Sequence, residues 1–532
     1  MSRASLLAAV YAAWSLLYVW RTSFVLGGQR IFVLWDDAMI SLRYARNLVA
    51  GQGLAWNPGE RVQGISNLGV TLAMAALHAL PVDELRVSLL IQLANLGLLL
   101  AILALAQRLA RQLSPDDAWV PILVAATAAL YAPLSIWSLQ GSDVAPVTAV
   151  VLGALVVSAR SLRARRGPSR TAWALLTLGV ALRLDVAVVF AVGIGFALFQ
   201  GRGAWRSAAE GLALLAITII FILAFGAFYY GDPLPNTFYL KATGAPIVDV
   251  LANGGRQLWE MLTPASPLLL GIALAGLWLL RRDPLCALAS LWVLALFGYD
   301  LAVGGDWLKA YHSRFVVPAV TLFCVLHGVA VREILARWLS ASRLAAPSGR
   351  LALAGLSLLG AFAFYSPTAT REWLWPTTPT LWWQDNQTNA RMGFYLREQT
   401  PPEMSVALHC AGTTAYFAQR PAIDVLGKSD RHIAKLPVQV FHPGHSKWDW
   451  DYVLFERRPD VIPETSRGLD NHPELARSYY FAKTRDGLQF HVRKDAVARF
   501  RDHDLVLYAF RSKRGLTWEE AAEHAANNTG EP

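Results

Sequence analysis

Runs of apolar residues unbroken by charge recur from Leu6 to Phe364, and they constrain this chain more than any other feature. A bilayer core about 30 Å thick is crossed by about 20 helical residues, because only a helix or a closed barrel satisfies its backbone without water. The runs lie at 6–25, 87–109, 119–136, 144–159, 173–182, 186–199, 212–228, 268–280, 285–301, 316–331 and 351–364. They predict a polytopic α-helical membrane protein with about 11 spans. Charged residues are 16% of the 532, against about 25% in soluble proteins. A soluble globular enzyme and a disordered chain are thereby excluded. The first run follows Arg3 and has no small-residue cleavage site, so it reads as an uncleaved span. Many of the 20 Trp stand at run ends, as an interfacial aromatic belt requires.

The net charge of +10 is a topology signal. From residue 371 onward 21 basic and 21 acidic residues cancel, so the excess lies wholly in the hydrophobic part and nucleic acid drops out as a partner. With the N-terminus in the cytoplasm, the cytoplasmic loops hold 16 basic and 5 acidic residues and the opposite side 11 and 12, the expected sign. Counting Asn67–Leu80 as a span would put the basic stretch 160–170 outside, so that piece reads as a juxtamembrane or re-entrant helix. An odd number of spans then delivers the tail to the extracytoplasmic side. Residues 1–367 form the membrane module, with a long first loop at 27–66, and 368–532 an extracytoplasmic α+β domain. The tail mixes strand-like runs (VALHC, YVLF, QFHV, LVLYAF) with the helix-like TWEEAAEHAAN. Three cysteines imply no disulfide framework, and no nucleotide-binding fingerprint is present.

Chemistry collects in the loops on one side of the membrane. The first loop reads LWDDAMISLRYARNLVAGQGLAWNPGERVQGISN (34–67) and opens with Asp36 and Asp37. The others are WSLQGSD (137–143), ALRLD (181–185), YYGDPLPNTFYLK (229–241) and VGGDWLKAYHSRF (303–315). Each brings an acid to the boundary and several bring a base, which is costly unless the groups pair or line a site. Carboxylates with cations and no nucleotide fingerprint fit sugar transfer from a lipid-linked phosphate. Arg or Lys meets the leaving phosphate, and a carboxylate takes the acceptor's proton. A lipid-linked sugar flippase is the competing class, but it would carry charges near the midplane and show repeats. No repeat is present.

The strings at 34–64, 229–241 and 303–318, with AGTTAYFAQRPAIDVLGKSDRHIA (411–434), PGHSKWDWDYVL (443–454) and RRPDVI (457–462), resemble the mycobacterial terminal β-(1→2)-arabinofuranosyltransferase family. That family is of the GT-C glycosyltransferase type. The resemblance implies a polyprenyl-phosphate arabinofuranose donor, a glycan or glycoconjugate acceptor outside the cell, and a bacterial inner membrane. It makes Asp36, ahead of Asp37, the catalytic carboxylate. Arg43, Asn236, Lys241 and Arg314 become candidates for donor and phosphate binding, with Arg43 alternatively paired to Asp37 and Lys241 alternatively an interfacial anchor. Asp143, Arg183, Asp185, Tyr230, Asp232, Asp306, Trp307 and His312 become candidates for sugar or acceptor binding. Arg183 and Asp185 also fit as a mutual ion pair, and His312 as a structural residue. The resemblance fixes no cofactor, and a divalent cation stays open; the tail histidines His409, His432, His442 and His445 lack compact ligand spacing. Two strings depart from the family: Gln140-Gly141-Ser142-Asp143, and Leu308-Lys309-Ala310-Tyr311-His312 after GGDW. They leave the sugar and acceptor open, not the enzyme class.

Overall fold

The computed structural model describes residues 2–262, 266–308, 311–377, 380–463, 468–509 and 515–528, so Lys309 and Ala310 of the GGDW string lie outside the described residues. Every one of the eleven apolar runs falls on a helix. Among the described residues, six helices are long and apolar enough to cross a bilayer: Arg3–Thr22, Glu84–Leu113, Val144–Arg163, Arg202–Tyr230, Pro284–Ala302 and Val317–Trp338. A seventh candidate is the pair Val120–Leu130 and Ala132–Leu139, bent by 59°. Against the expected count of about 11, six or seven are full-length candidates and the other apolar runs form shorter helices. Arg170–Leu182, Val186–Phe199 and Ser266–Leu280 are 13, 14 and 15 residues long, which reaches only about 20 Å at 1.5 Å per residue. The last run becomes Pro347–Leu359 and a short 3-10 turn. Leu68–His78 is a short helix, as the charge argument required.

Local chemistry explains the breaks. Pro133 has no N–H and its ring crowds the carbonyl of Ala129. That freed carbonyl accepts from Trp373 Nε1 at 3.2 Å, and the Trp373 ring packs against Tyr11 and Tyr18 of the first helix. The first helix ends at Thr22, short of the expected Val25. The chain then forms a hairpin of β1 (Phe24–Leu26) and β2 (Gln29–Ile31) that leads to the acidic pair. Arg202–Tyr230 ends in a π-helical turn, Gly226–Tyr230. That turn aims two phenols at one residue: Leu54 N–H donates to Tyr229 Oη at 2.8 Å, and Tyr230 Oη donates to the Leu54 carbonyl at 2.9 Å.

The tail begins with the helix Trp383–Gln399 and builds a mixed sheet. Its strands are β3 (Val406–Leu408), β4 (Ala422–Asp424), β5 (Val461–Ile462), β6 (Tyr479–Lys483), β7 (Gln489–Arg493), β8 (Val506–Tyr508) and β9 (Gly515–Leu516), in the order β4-β3-β5-β7-β6-β8-β9. β3 runs parallel to β4 and β5, and the remaining pairs are antiparallel. Three expected strands are present, but YVLF is a π-helical turn, Tyr452–Arg457. Its adjacent Val453 and Leu454 are buried in a cluster with Ala407 of β3 and Ile423 of β4.

Candidate active site

Asp36 and Asp37 open the helix Asp36–Val49, where unpaired N–H groups favour negative charge. Trp35 precedes them, and its N–H donates to the Gln140 carbonyl at 2.8 Å, so the QGSD turn fixes the entry to the helix. The two carboxylates then part. Asp36 Oδ1 accepts from the N–H groups of Gly412 at 3.1 Å and Thr413 at 2.9 Å, both in the tail, while Oδ2 has only a 3.2 Å contact with Gly412. Only glycine permits this approach, because a Cβ at Gly412 would stand 2.0 Å from the Asp36 carbonyl oxygen. Burial, with help from the charge of Asp37, pushes the Asp36 carboxyl up to about 6 against the pull of the Thr413 amide.

Asp37 faces two cations instead. Its Oδ2 accepts from Arg314 Nη2 at 2.8 Å and its Oδ1 pairs with Lys428. Burial acts to raise its pKa, but the two cations outweigh it and hold the group well below the usual carboxylate range. Arg314 also binds Asp306 Oδ2 through Nε at 3.1 Å. Lys241 lies within the field of the same cluster, its ammonium 4.6 Å from the Phe315 ring centroid, and burial lowers its pKa. Lys241 and Arg314, expected at the donor phosphate, thus converge with Asp37, a catalytic candidate, and Asp306, a candidate for the sugar or acceptor. Asp143, Arg183 and Asp185 form a buried network against the same loop. Arg183 bonds Asp185 at 2.6 and 2.8 Å, Asp143 at 3.1 Å and the Arg314 carbonyl at 3.3 Å. The mutual pairing of Arg183 and Asp185 is present, and its geometry steadies Arg314.

A cavity of about 210 Å³ opens beside Asp36 and Asp37. Trp35, Trp307 and Trp382 crowd one wall with ring centroids 4.8 to 6.0 Å apart, and His445 stands 4.8 Å from Trp307. The other wall comes from the tail: Lys428, His409, Asp385, Asn386 and Asn389. A second, almost wholly apolar groove of about 520 Å³ runs between Ile247–Met261, Ser266–Leu280, Pro284–Ala302 and Val317–Trp338. Leu258, Leu274, Leu294 and Phe297 line it. Its end at Leu301 adjoins the GGDW loop, where Asn253 Nδ2 donates to the Gly304 carbonyl at 2.7 Å and Asp306 N–H donates to Gln257 Oε1 at 3.1 Å.

Five sequence candidates lie elsewhere or act otherwise. Arg43 is fully buried, and its guanidinium donates to the carbonyls of Trp56, Ala415 and Arg420 and to Asn57 Oδ1 at 2.7 to 2.9 Å. It touches neither Asp37 nor the cavity and instead ties the first loop to the tail. Asn236 donates to the Gly427 carbonyl at 3.1 Å, which sets the loop that carries Lys428. Tyr230 clasps Leu54, and Asp232 pairs with Lys435 at 2.6 Å and Tyr239 at 2.8 Å. His312 is buried between helices in a left-handed backbone conformation, with Nδ1 3.3 Å from Tyr131 Oη, and burial lowers its pKa to about 4. Among the described residues, no three His, Cys, Asp or Glu side chains converge to hold a metal ion, and both oxygens of Asp37 are taken by cations. Sequence reasoning missed Lys428, Trp382, Asp385, Asn386 and Asn389. The signal for Lys428 was its charge inside the tail string 411–434, beside Gly64 of the first loop, where a Cβ would clash with the Lys428 carbonyl.

Residues 379–508 match a family described as a domain of unknown function (DUF8728). No curated protein matches the chain in sequence. In structure it is similar to ArnT from Cupriavidus metallidurans bound to undecaprenyl phosphate, at 16% identity and TM-score 0.54 over 92% of this chain and 97% of that one. It is similar as well to the Archaeoglobus fulgidus oligosaccharyltransferase tethered with an acceptor peptide containing the NVT sequon, at 11% identity and TM-score 0.54 over 92% and 74%. The oligosaccharyltransferase AglB from the same organism, in complex with an inhibitory peptide and a dolichol-phosphate, aligns at 12% identity and TM-score 0.50 over 98% and 77%. The chain therefore has the GT-C fold: a helical membrane body followed by a sheet-containing C-terminal domain.

Proposed function

We propose that the protein is a glycosyltransferase that moves a sugar from a polyprenyl phosphate to an extracytoplasmic glycan or glycoconjugate at a bacterial inner membrane. By its sequence resemblance the sugar is arabinofuranose. The observation that carries the reading is the cluster of Asp36, Asp37, Arg314, Lys428 and Lys241, set beside a cavity and next to a loop that an apolar groove adjoins. The groove suits an isoprenoid chain, and the cations suit its phosphate. Two structural neighbours hold polyisoprenoid phosphates, which supports this class of donor.

In this reading the acceptor hydroxyl gives its proton to Asp36 Oδ2, the less engaged oxygen. The bond from the anomeric carbon to the phosphate oxygen breaks, and the acceptor oxygen takes the phosphate's place on that carbon. The electron pair leaves on the phosphate, whose added charge meets Arg314, Lys428 and Lys241. Asp37 holds Arg314 and Lys428 ready for it. A carboxyl pushed to about 6 by burial is a stronger base than an ordinary carboxylate and is still ionised near neutral pH. Flipping of the lipid-linked sugar is disfavoured because these groups sit at helix ends against the tail.

The test uses the protein reconstituted in lipid nanodiscs, radiolabelled polyprenyl-phosphate sugars and short oligosaccharide acceptors. Labelled oligosaccharide is the expected product, and Asp36→Asn should lower the rate by roughly 10²- to 10⁴-fold. Transfer from a hexose donor but not from the arabinofuranose donor would change only the sugar. No transfer from any polyprenyl-phosphate sugar would overturn the reading.

A further inference from the structure

Arginines gather in a further cavity of about 520 Å³, which shares no lining residue with the one beside Asp36 and Asp37. It lies in the seam between the first loop and the tail. Arg43 and Arg46 reach it from the helix Asp36–Val49, and Arg420 and Arg457 from the tail. Arg43 and Arg420 are buried, at 1% and 7% exposure, whereas Gln52, Pro58 and Glu60 form an exposed rim. Among the described residues Glu60 is the only carboxylate that lines this cavity. Its oxygens are already held by Arg457 at 3.2 Å and by Asn57 at 2.9 Å.

Among the described residues the two buried guanidiniums meet no carboxylate. Arg43 bonds only to carbonyls and Asn57 Oδ1, and Arg420 only to backbone carbonyls and Thr400 Oγ1. Those bonds fix the guanidinium planes without neutralising them. Burial, reinforced by Arg46, pushes Arg43 down to about 9, and burial with the charges of Arg397 and Arg501 lowers Arg420. A buried charge without a counter-charge is unfavourable, and an anion between the two relieves it. Arg46 shares Glu84 with Arg397, at 3.4 and 3.7 Å. The Nε–H groups of Arg46 and Arg457 have no acceptor among the described residues, so donors remain for a ligand. Guanidinium forks match phosphate oxygens, and two uncompensated charges exceed what one carboxylate carries. We propose that this seam is a binding site for a phosphate ester, separate from the donor phosphate and held by Arg43, Arg46, Arg420 and Arg457. Arg46 and Gln419 both bond to Glu84, the first residue of a helix long enough to cross the bilayer. The site is thus level with the end of that helix, within reach of a lipid headgroup as well as a free ester. Arg43 and Arg46 also hold the carbonyls of Ala415 and Tyr416, in the short helix whose first amide caps Asp36. A ligand here therefore bridges the first loop and the tail close to the reacting carboxylate. The inference does not rest on the transferase reading.

Two matched probes test it: glycerol 3-phosphate as the free ester, and phosphatidate as the lipid that carries the same head. The full-length protein is reconstituted in phosphatidylcholine nanodiscs with and without phosphatidate, and glycerol 3-phosphate is titrated by calorimetry at fixed ionic strength. The double variant Arg46→Gln, Arg457→Gln should weaken binding of the probe by at least about tenfold. Changes on the exposed rim spare the fold and decide the matter where the double variant melts early. Glu60→Gln should tighten binding about threefold by removing the acid, and Gln52→Glu should weaken it by a similar factor. A free ester is identified by calorimetric binding that is the same in both kinds of disc. A lipid headgroup is identified by phosphatidate that the wild type retains through detergent extraction and the double variant sheds, with glycerol 3-phosphate excluded from phosphatidate discs. A wild type that neither binds glycerol 3-phosphate nor retains phosphatidate would overturn the site. So would ester binding that ignores all of these variants and is lost in Lys428→Met, because it then belongs to the cluster on Asp37.

Discussion

Lys428→Met isolates what the tail supplies to the phosphate site. Methionine keeps most of the length and apolar bulk of lysine and removes the charge. In the resting protein Asp37 would be left with Arg314 alone at 2.8 Å. The Lys428 and Asp37 side chains are 16% and 20% exposed, so solvent screens part of the lost pairing and the folding cost is small, about 1 kcal/mol. The transition state is different. The phosphate gains charge as the sugar leaves, and a charge-assisted hydrogen bond to it is worth about 2–3 kcal/mol. At 1.36 kcal/mol per factor of ten, that is about a 30- to 150-fold loss in kcat/KM for the donor. The assay varies donor and acceptor separately with a radiolabelled polyprenyl-phosphate sugar, and melting is followed in parallel. The acceptor KM should stay within about twofold and Tm within about 2 °C, while Lys428→Arg should recover most donor use. Wild-type donor kinetics in Lys428→Met, or a defect confined to the acceptor, would refute the argument.

The rate should also titrate with Asp36. A base works only when ionised, so kcat/KM should rise with pH, reach half its maximum near 6 and level off above, because burial raises this carboxyl to about 6. A midpoint near 4, or a rate that falls over the same range, contradicts the assignment. Arg43→Met should cost about 3–5 kcal/mol of stability by stranding buried carbonyls, seen as a lower denaturation midpoint. Folded variant should keep the wild-type donor KM; a raised donor KM at unchanged stability would return Arg43 to the phosphate. Leu294→Trp, in the apolar groove, should impair a long-chain donor about tenfold more than a donor of three isoprene units, and equal impairment would empty the groove of its assigned chain.

Apolar runs are a direct readout of which segments avoid water, and each of them proved helical. Their lengths were not a readout of spanning. Whether 13 residues such as Arg170–Leu182 cross or stop short depends on neighbours. The bend at Tyr131 survives because an indole 244 residues away satisfies the carbonyl that Pro133 frees. In the site, the acids stood out because charge at a membrane boundary needs a reason. The partners did not. Arg43 was misassigned because its acceptors are mostly backbone carbonyls, which leave no trace in a sequence. Lys428 was missed because it meets Asp37 across 391 residues. Asn386 and Asn389 look like any polar helix surface until the cavity beside them is known.

Two adjacent carboxylates do different work here because the tail gives them different environments. Amide N–H groups of Gly412 and Thr413 cap Asp36, while Lys428 joins Arg314 on Asp37. Groups whose environments push their pKa values apart divide into acid–base and electrostatic roles, and the cap on Asp36 and one of the two cations on Asp37 come from the domain that residues 379–508 match. In the proposed reaction that domain is thus part of the reaction centre. The segment capping Asp36 is also packed on the helix Trp383–Gln399, which lines the cavity: Thr414 Oγ1 donates to the Asn389 carbonyl at 3.2 Å, and Phe394 stacks on Phe417 at 4.6 Å. Close-packed interiors shift as units rather than atom by atom. Whatever shifts Trp383–Gln399 therefore bears on Gly412 and Thr413, and through them on the carboxylate of Asp36 to which the proposed reaction gives the acceptor's proton.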